Sequence, residues 1–219
     1  MTIDNLDNFL DLTAFSSEEL ETQISGYNLS FLQYRNYKIE WEEKLPLFVP
    51  AFYDCIKKGG IVPTQNDYWL FYVSENMEEL KSKNYKQEEK EGIKGRVYRT
   101  YPSLVRDLHF GLYLKEKKYF NSVFYNVTLD IEYGIDLAVE TRKGTKIGFN
   151  LFTQTKAAEY ARFLKSYRPK KPVGFACYEI PLDFNNCKKC GDFFLYSERE
   201  ISAFINAVND CMDGKNTLE

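Results

Sequence analysis

The chain has 219 residues, 44% apolar and 28% charged, which fits one ordinary globular domain with a smaller one beside it in sequence. A net charge of −3 excludes a globally basic nucleic-acid binder, and no apolar run has the length of a bilayer span, so no membrane partner is expected. The opening MTIDNLDNFLDL is acidic and has no basic-then-apolar leader, so a cytoplasmic location is expected.

Residues 1–25 predict one or two short helices, with Ser16 and Glu19 spaced as a capping box. Mixed apolar spacing predicts a helix from about Ser30 to Glu43. Phe48, Phe52, Cys55 and Ile56 share a helical face, and Gly59-Gly60 ends that helix. Thr64, three residues before Asp67, predicts an N-cap for the next helix. The pair outlines a helix-turn-helix, but the second helix opens on Gln65, Asn66 and Asp67 rather than basic readers, so a plain helical hairpin is expected. The polar, Gly-punctuated stretch 81–99 predicts a linker or exposed loop. The boundary is set near Glu91, giving a helical N-terminal subdomain (1–90) and a main domain (91–219).

The main domain predicts a helix from Ser103 to about Lys117, with Ser103 as N-cap after Pro102. A strand follows in FNSVFYNVTLD, then a second in GIDLAVE. The turn TRKGTK, with Gly144 at positive φ, leads to a third strand, KIGFNLFTQ. Then come a helix over 156–167, a strand in VGFACYEIPL, a CKKCGD loop leading to FFLYS, and a helix over Glu198–Val208.

Five cysteines in a cytosolic chain predict thiols or a metal site rather than disulfides. Cys187-Lys-Lys-Cys190 is a single pair, and His109 is the only histidine, so the four ligands of a structural zinc are not expected. One histidine also weakens any Ser-His or Cys-His nucleophile scheme. Gly-rich phosphate loops and nucleophile elbows are absent from the sequence.

The order helix, three antiparallel strands, helix, strand, helix, with Gly134-Ile135-Asp136-Leu137 opening the second strand, resembles the restriction-endonuclease-like fold of the PD-(D/E)XK nuclease superfamily. The resemblance covers about residues 100–210 and rests on short motifs. It implies an α/β (α+β) fold, a restriction-endonuclease-like mixed sheet flanked by helices behind a helical N-terminal subdomain. It also implies a metal-dependent endonuclease, with mobile-element or phage defence as the family context. Phosphodiester hydrolysis needs an attacking water and relief of charge on the phosphate. Carboxylates holding Mg²⁺ and a lysine supply these.

Asp136 matches the family's first acid, and Asp107 takes the place of an acid on the first helix. On the third strand the alternation puts Asn150 where the second acid belongs and Phe152 where the lysine belongs. Lys156, or Lys146, is the replacement cation, Gln154 extends the polar row, and Glu140 could add a carboxylate. The candidate catalytic set is therefore Asp136, Asn150, Gln154 and Lys156, with Asp136, Asp107 and Glu140 around Mg²⁺. Arg162, Lys165, Arg168, Lys170 and Lys171, with interleaved tyrosines, form the candidate nucleic-acid patch. DNA is expected ahead of RNA. The alternative is a catalytically inactive nuclease-fold module that binds nucleic acid, a protein partner or a second copy of the chain. For Asp136 a turn-stabilising role competes with the catalytic one, and for any single lysine of the patch a solvated helix face does.

Overall fold

A computed structural model describes residues 8–30, 34–155, 159–160, 163 and 171–212. In chain order the elements are α1 (Phe9–Leu12), α2 (Ser17–Ser25), a π-helical turn (Lys38–Glu42), α3 (Phe48–Gly59), α4 (Gln65–Glu75), α5 (Met77–Ser82) and α6 (Gln87–Lys117). After these come β1 (Ser122–Phe124), a second π-helical turn (Leu129–Tyr133), β2 (Leu137–Glu140), β3 (Lys146–Thr153), β4 (Ala176–Leu182), β5 (Lys188–Cys190), β6 (Phe193–Leu195) and α7 (Glu198–Met212). Strands β1-β2-β3-β4 form one sheet in that order, antiparallel at the first two joins and parallel at the third. The fold is thus a mixed α+β one, a four-stranded mixed sheet with flanking helices. Among the described residues no helix is long and apolar enough to cross a membrane.

The chain divides into two compact units. A sheet unit takes Met1–Asp11, Asp107–Lys189 and Phe194–Glu219, and a helical unit takes Leu12–Arg106 and Cys190–Phe193. The boundary expected near Glu91 lies inside α6, which supplies residues to both units.

In the helical unit several local signals act as predicted. Ser16 and Glu19 form the capping box of α2, and the Thr64 side chain accepts the Asp67 N–H at the start of α4. Gly60 ends α3 with φ +69°, a conformation that costs glycine little. The core is aromatic. Phe52, Tyr53, Tyr68, Tyr72 and Tyr101 are buried, with Tyr68 stacked on Tyr101 and edge-on to Phe52. Burial pushes the phenols of Tyr68, Tyr72 and Tyr101 above their ordinary range. Each hydroxyl donates to a carbonyl, of Phe48, Pro46 and Pro63 respectively. These bonds satisfy the one polar atom that each ring carries inward.

Two predicted elements differ. The helix expected over Ser30–Glu43 contains, among its described residues, a π-helical turn in which Glu43 N–H donates to Lys38 O. Its apolar residues follow no single helical face, and among the described residues of that stretch only Ile39 is buried. The linker expected over 81–99 is mostly α6. Ile93, Val97 and Tyr98 are buried along it. Its glycines are sites of close approach: a Cβ on Gly92 would lie 2.6 Å from Asn36 Cβ, and one on Gly95 would lie 2.8 Å from Tyr34 O.

Nor does a new helix start at Ser103. Pro102 lies inside α6, and the Ser103 hydroxyl donates back to Thr100 O at 2.7 Å. Proline has no N–H, so Tyr98 O loses its intrahelical donor. Gln65 supplies the replacement: its Nε2 donates to Tyr98 O at 2.9 Å, and its Oε1 accepts Ser30 N–H at 2.8 Å. Gln65 is 4% exposed, and this is why a polar residue is retained there.

In the sheet unit the expected strand 120–130 is cut to Ser122–Phe124. Asn126 ends it, its Oδ1 accepting the N–H groups of Thr128 and Leu129. Leu137 and Val139 share a face with Ile147 and Phe149. That face carries the core. Phe149 meets Phe204 of α7 at 4.2 Å between ring centres, and Phe204 also meets Phe110 of α6 and Phe120. The opposite face holds a smaller cluster of Leu129, Ile135 and Ala138 under Phe124, Tyr133, Val173 and Phe175. The CKKCGD stretch is a β-hairpin rather than an open loop, turning at Gly191 with φ +56°. The predicted helix 156–167 falls largely outside the described residues.

Gln65→Ala should cost about 1–3 kcal/mol in urea unfolding, because it leaves the Tyr98 carbonyl buried without a donor. In a Pro102→Ala background, which restores an intrahelical N–H, the same substitution should cost less. Burial raises the Cys55 thiol to about 11. Its alkylation at pH 8 should therefore run about a hundredfold slower than that of an ordinary thiol, measured by mass spectrometry after iodoacetamide treatment.

Candidate functional site

The sequence centres the site on Asp136, at the entry to β2. Asp136 N–H donates to Phe149 O at 3.0 Å, and its Oδ2 accepts Leu151 N–H at 2.7 Å. Phe149 already faces Leu137 in the ladder, so Asp136 joins the same carbonyl region from one residue earlier. The strict alternation of β2 therefore stops at Leu137, and the Asp136 carboxylate takes the place of a strand carbonyl opposite Leu151. A carboxylate that accepts a backbone N–H in a partly buried position holds the sheet together as well as carrying charge.

Asn150 lies on the face of β3 opposite to Phe149, and its register partner in β4 is Glu179. Phe152 follows on the same face, beside Pro181. Glu179 is an exposed acid that the sequence reading missed, because only the parallel register of β3 and β4 puts it next to Asn150. Gln154 leaves the end of β3, donating its N–H to Leu182 O at 3.2 Å. With Glu179, Asp183 and Arg199 it lines a cleft of about 380 Å³ whose floor includes Phe149, Tyr178 and Phe204.

The proposed metal set divides. Asp107 stands on α6 one turn before Gly111, and a Cβ on Gly111 would lie 3.3 Å from Leu137 Cδ1. Residues four apart share a helix face, so Asp107 is on the side of α6 that meets β2. Glu140 is at the far end of β2, paired in register with Lys146 and Ser122. Four residues of extended strand separate it from Asp136, about 13 Å. Mg²⁺ holds its ligands within about 2.1 Å, so Glu140 and Asp136 do not share an ion. Among the described residues no three His, Cys, Asp or Glu side chains group so as to hold a metal ion. Asp136 tied to a backbone N–H, neutral Asn150 and apolar Phe152 are a poor fit to Mg²⁺ and its partner lysine.

Lys156, Arg162, Lys165, Arg168 and Lys170 lie outside the described residues. Lys171 is described. Its ammonium pairs with Glu132, which raises its proton affinity, and its N–H donates to Glu132 O at 3.0 Å. A lysine so matched brings less net positive charge to a phosphate than the sequence suggests. Lys146, the other candidate cation, sits opposite Glu140 in the ladder. The cysteine pair is spread along its hairpin: Cys187 Sγ donates to Phe184 O, and Cys190 Sγ donates to Glu21 O, each at 3.2 Å.

Comparison with family models, curated proteins and solved structures returned no match to this chain.

Asp136→Ala should destabilise the protein by about 1–3 kcal/mol, since it strands the Leu151 N–H, whereas Asp136→Asn keeps an acceptor and should cost less. Urea unfolding of the two variants checks the order. Equal costs would contradict the ladder role.

Proposed function

We propose that the sheet unit is a nuclease-like module that binds nucleic acid without cleaving it. One observation carries the non-cleaving half: the Asp136 carboxylate accepts Leu151 N–H as part of the sheet. The other two positions that would build the chemistry hold Asn150 and Phe152. An amide contributes no charge to a hard cation, and a phenyl ring cannot replace an ammonium. The binding half is supported by the connection between β3 and β4. It carries Arg162, Lys165, Arg168 and Lys170 within a chain whose net charge is −3. Parallel neighbours require a crossover, so these cations belong to the connection between the two strands that bear Asn150 and Glu179.

A second reading, metal-dependent phosphodiester hydrolysis, is favoured by the register of Glu179 beside Asn150 and by Asp107 on the sheet-facing side of α6. One experiment separates the two. Plasmid, linear duplex, single-stranded DNA and RNA are incubated with the protein and Mg²⁺ or Mn²⁺, and binding is followed in parallel by fluorescence anisotropy. The expected outcome is salt-dependent binding, weakened at least tenfold by joint charge reversal at Lys165 and Arg168, with no cleavage above background. Cleavage that disappears in both Asp136→Asn and Glu179→Gln would establish the second reading instead. Absence of binding to all four probes would contradict the first.

A further inference from the structure

At the opposite edge of the sheet from β4, β1 borders a cleft of about 590 Å³. Its lining combines Lys115, Lys118 and Arg142 with Asn8, Asn121 and Ser122, against an apolar wall that includes Phe120 and Phe124. Asp11 is the acid in that lining, and Lys115 already matches it at 2.8 Å. Among the described residues of the lining, Lys118 and Arg142 are left as cations with no ion pair to an acid of the cleft. The guanidinium of Arg142 is held in position by donating to Lys118 O at 3.2 Å.

The backbone supplies a separate observation. Lys118 follows the end of α6 with φ +54°, in the left-handed region that glycine adopts without strain. A residue with a Cβ carries a cost there, and strain of this kind concentrates at functional positions. A lysine near a helix C-terminus also complements the exposed carbonyls. That role does not account for the choice here, because Lys115 and Lys117 already lie in the last turn of α6 and Arg142 already donates to Lys118 O.

We propose that this cleft binds a phosphate group through Lys118 and Arg142, with Asn121 and Ser122 as polar neighbours and the phenyl wall beside them. A nucleic-acid strand and a small phosphoanion both present this group, and the shared chemistry is two cations beside a polar strand edge. None of the lining residues belongs to the β3–β4 connection, so the test uses other residues than that reading does.

The test is titration of the full chain with inorganic pyrophosphate, and separately with a short single-stranded oligodeoxynucleotide, by isothermal calorimetry. The variants are Lys118→Gly and Arg142→Gln. Lys118→Gly removes the charge and relieves the strain, so its unfolding temperature should equal or exceed that of the parent. Its affinity should fall about tenfold, and the salt slope of oligonucleotide binding should shrink by about one. Pyrophosphate binding lost in both variants identifies a small-phosphoanion site. Oligonucleotide binding lost in both variants, without pyrophosphate binding, identifies a strand site. Affinity unchanged in both variants, or no binding of either probe by the parent, overturns the proposal. Charge reversal at Lys165 and Arg168 leaves pyrophosphate binding intact if this site is the one occupied.

Discussion

A side chain standing in for a backbone carbonyl organises the sheet unit. Asp136 accepts the Leu151 N–H while its own N–H bonds Phe149 O, so it fixes both sides of the residue pair that bears the core. Phe149 is fully buried, faces Leu137 on one side and Tyr178 on the other, and meets Phe204 of α7. A one-residue slip of β3 would turn Phe149 outward and bring Asn150 into the core, which is the penalty that register carries in a two-faced sheet. The same carboxylate is the residue that a nuclease would commit to a metal. Its place in the ladder is what tips the functional reading from cleavage toward binding.

The helical unit depends on a comparable substitution. Pro102 interrupts the hydrogen-bond ladder of α6, and the Gln65 amide repairs it from another helix. A buried amide serves that purpose in an aromatic core where Tyr68, Tyr72 and Tyr101 each donate their hydroxyl to a carbonyl. In both units a side chain supplies what the backbone lacks.

Local chemistry was the legible part of the sequence. The Ser16–Glu19 box, the Thr64 cap, Gly60 and the Gly144 turn are set by residues within a few positions, and the structure contains each of them. The strands β2, β3 and β4 were also legible from their apolar patterns, and the mixed sheet followed from the order of elements through the resemblance it carries. What failed was inference from composition. The stretch 81–99 reads as a linker because it is polar and contains glycines, yet Gly92 and Gly95 are there because Asn36 and Tyr34 press against them. Ser103 reads as a helix start because Pro102 usually precedes one, yet the repair by Gln65 comes from a residue distant in sequence. The site was partly legible for the same reason. Asp136 follows from its place before the second strand and Asn150 from the period of β3, but Glu179 joins Asn150 only through a parallel register that no local pattern encodes, and Glu140 is separated from Asp136 by the length of β2.

The most direct measurement is nuclear magnetic resonance of the amide backbone under titration with Mn²⁺, whose unpaired electrons broaden signals near any bound ion. If the Asp136 carboxylate belongs to the sheet, the Leu151 amide stays sharp and protected from hydrogen exchange, and the signals of Asn150 and Leu151 broaden no more than those of surface residues elsewhere. Selective broadening at Asn150 and Leu151, accompanied by faster exchange of the Leu151 amide, would show that Asp136 releases its backbone partner to hold a metal, and would contradict the account.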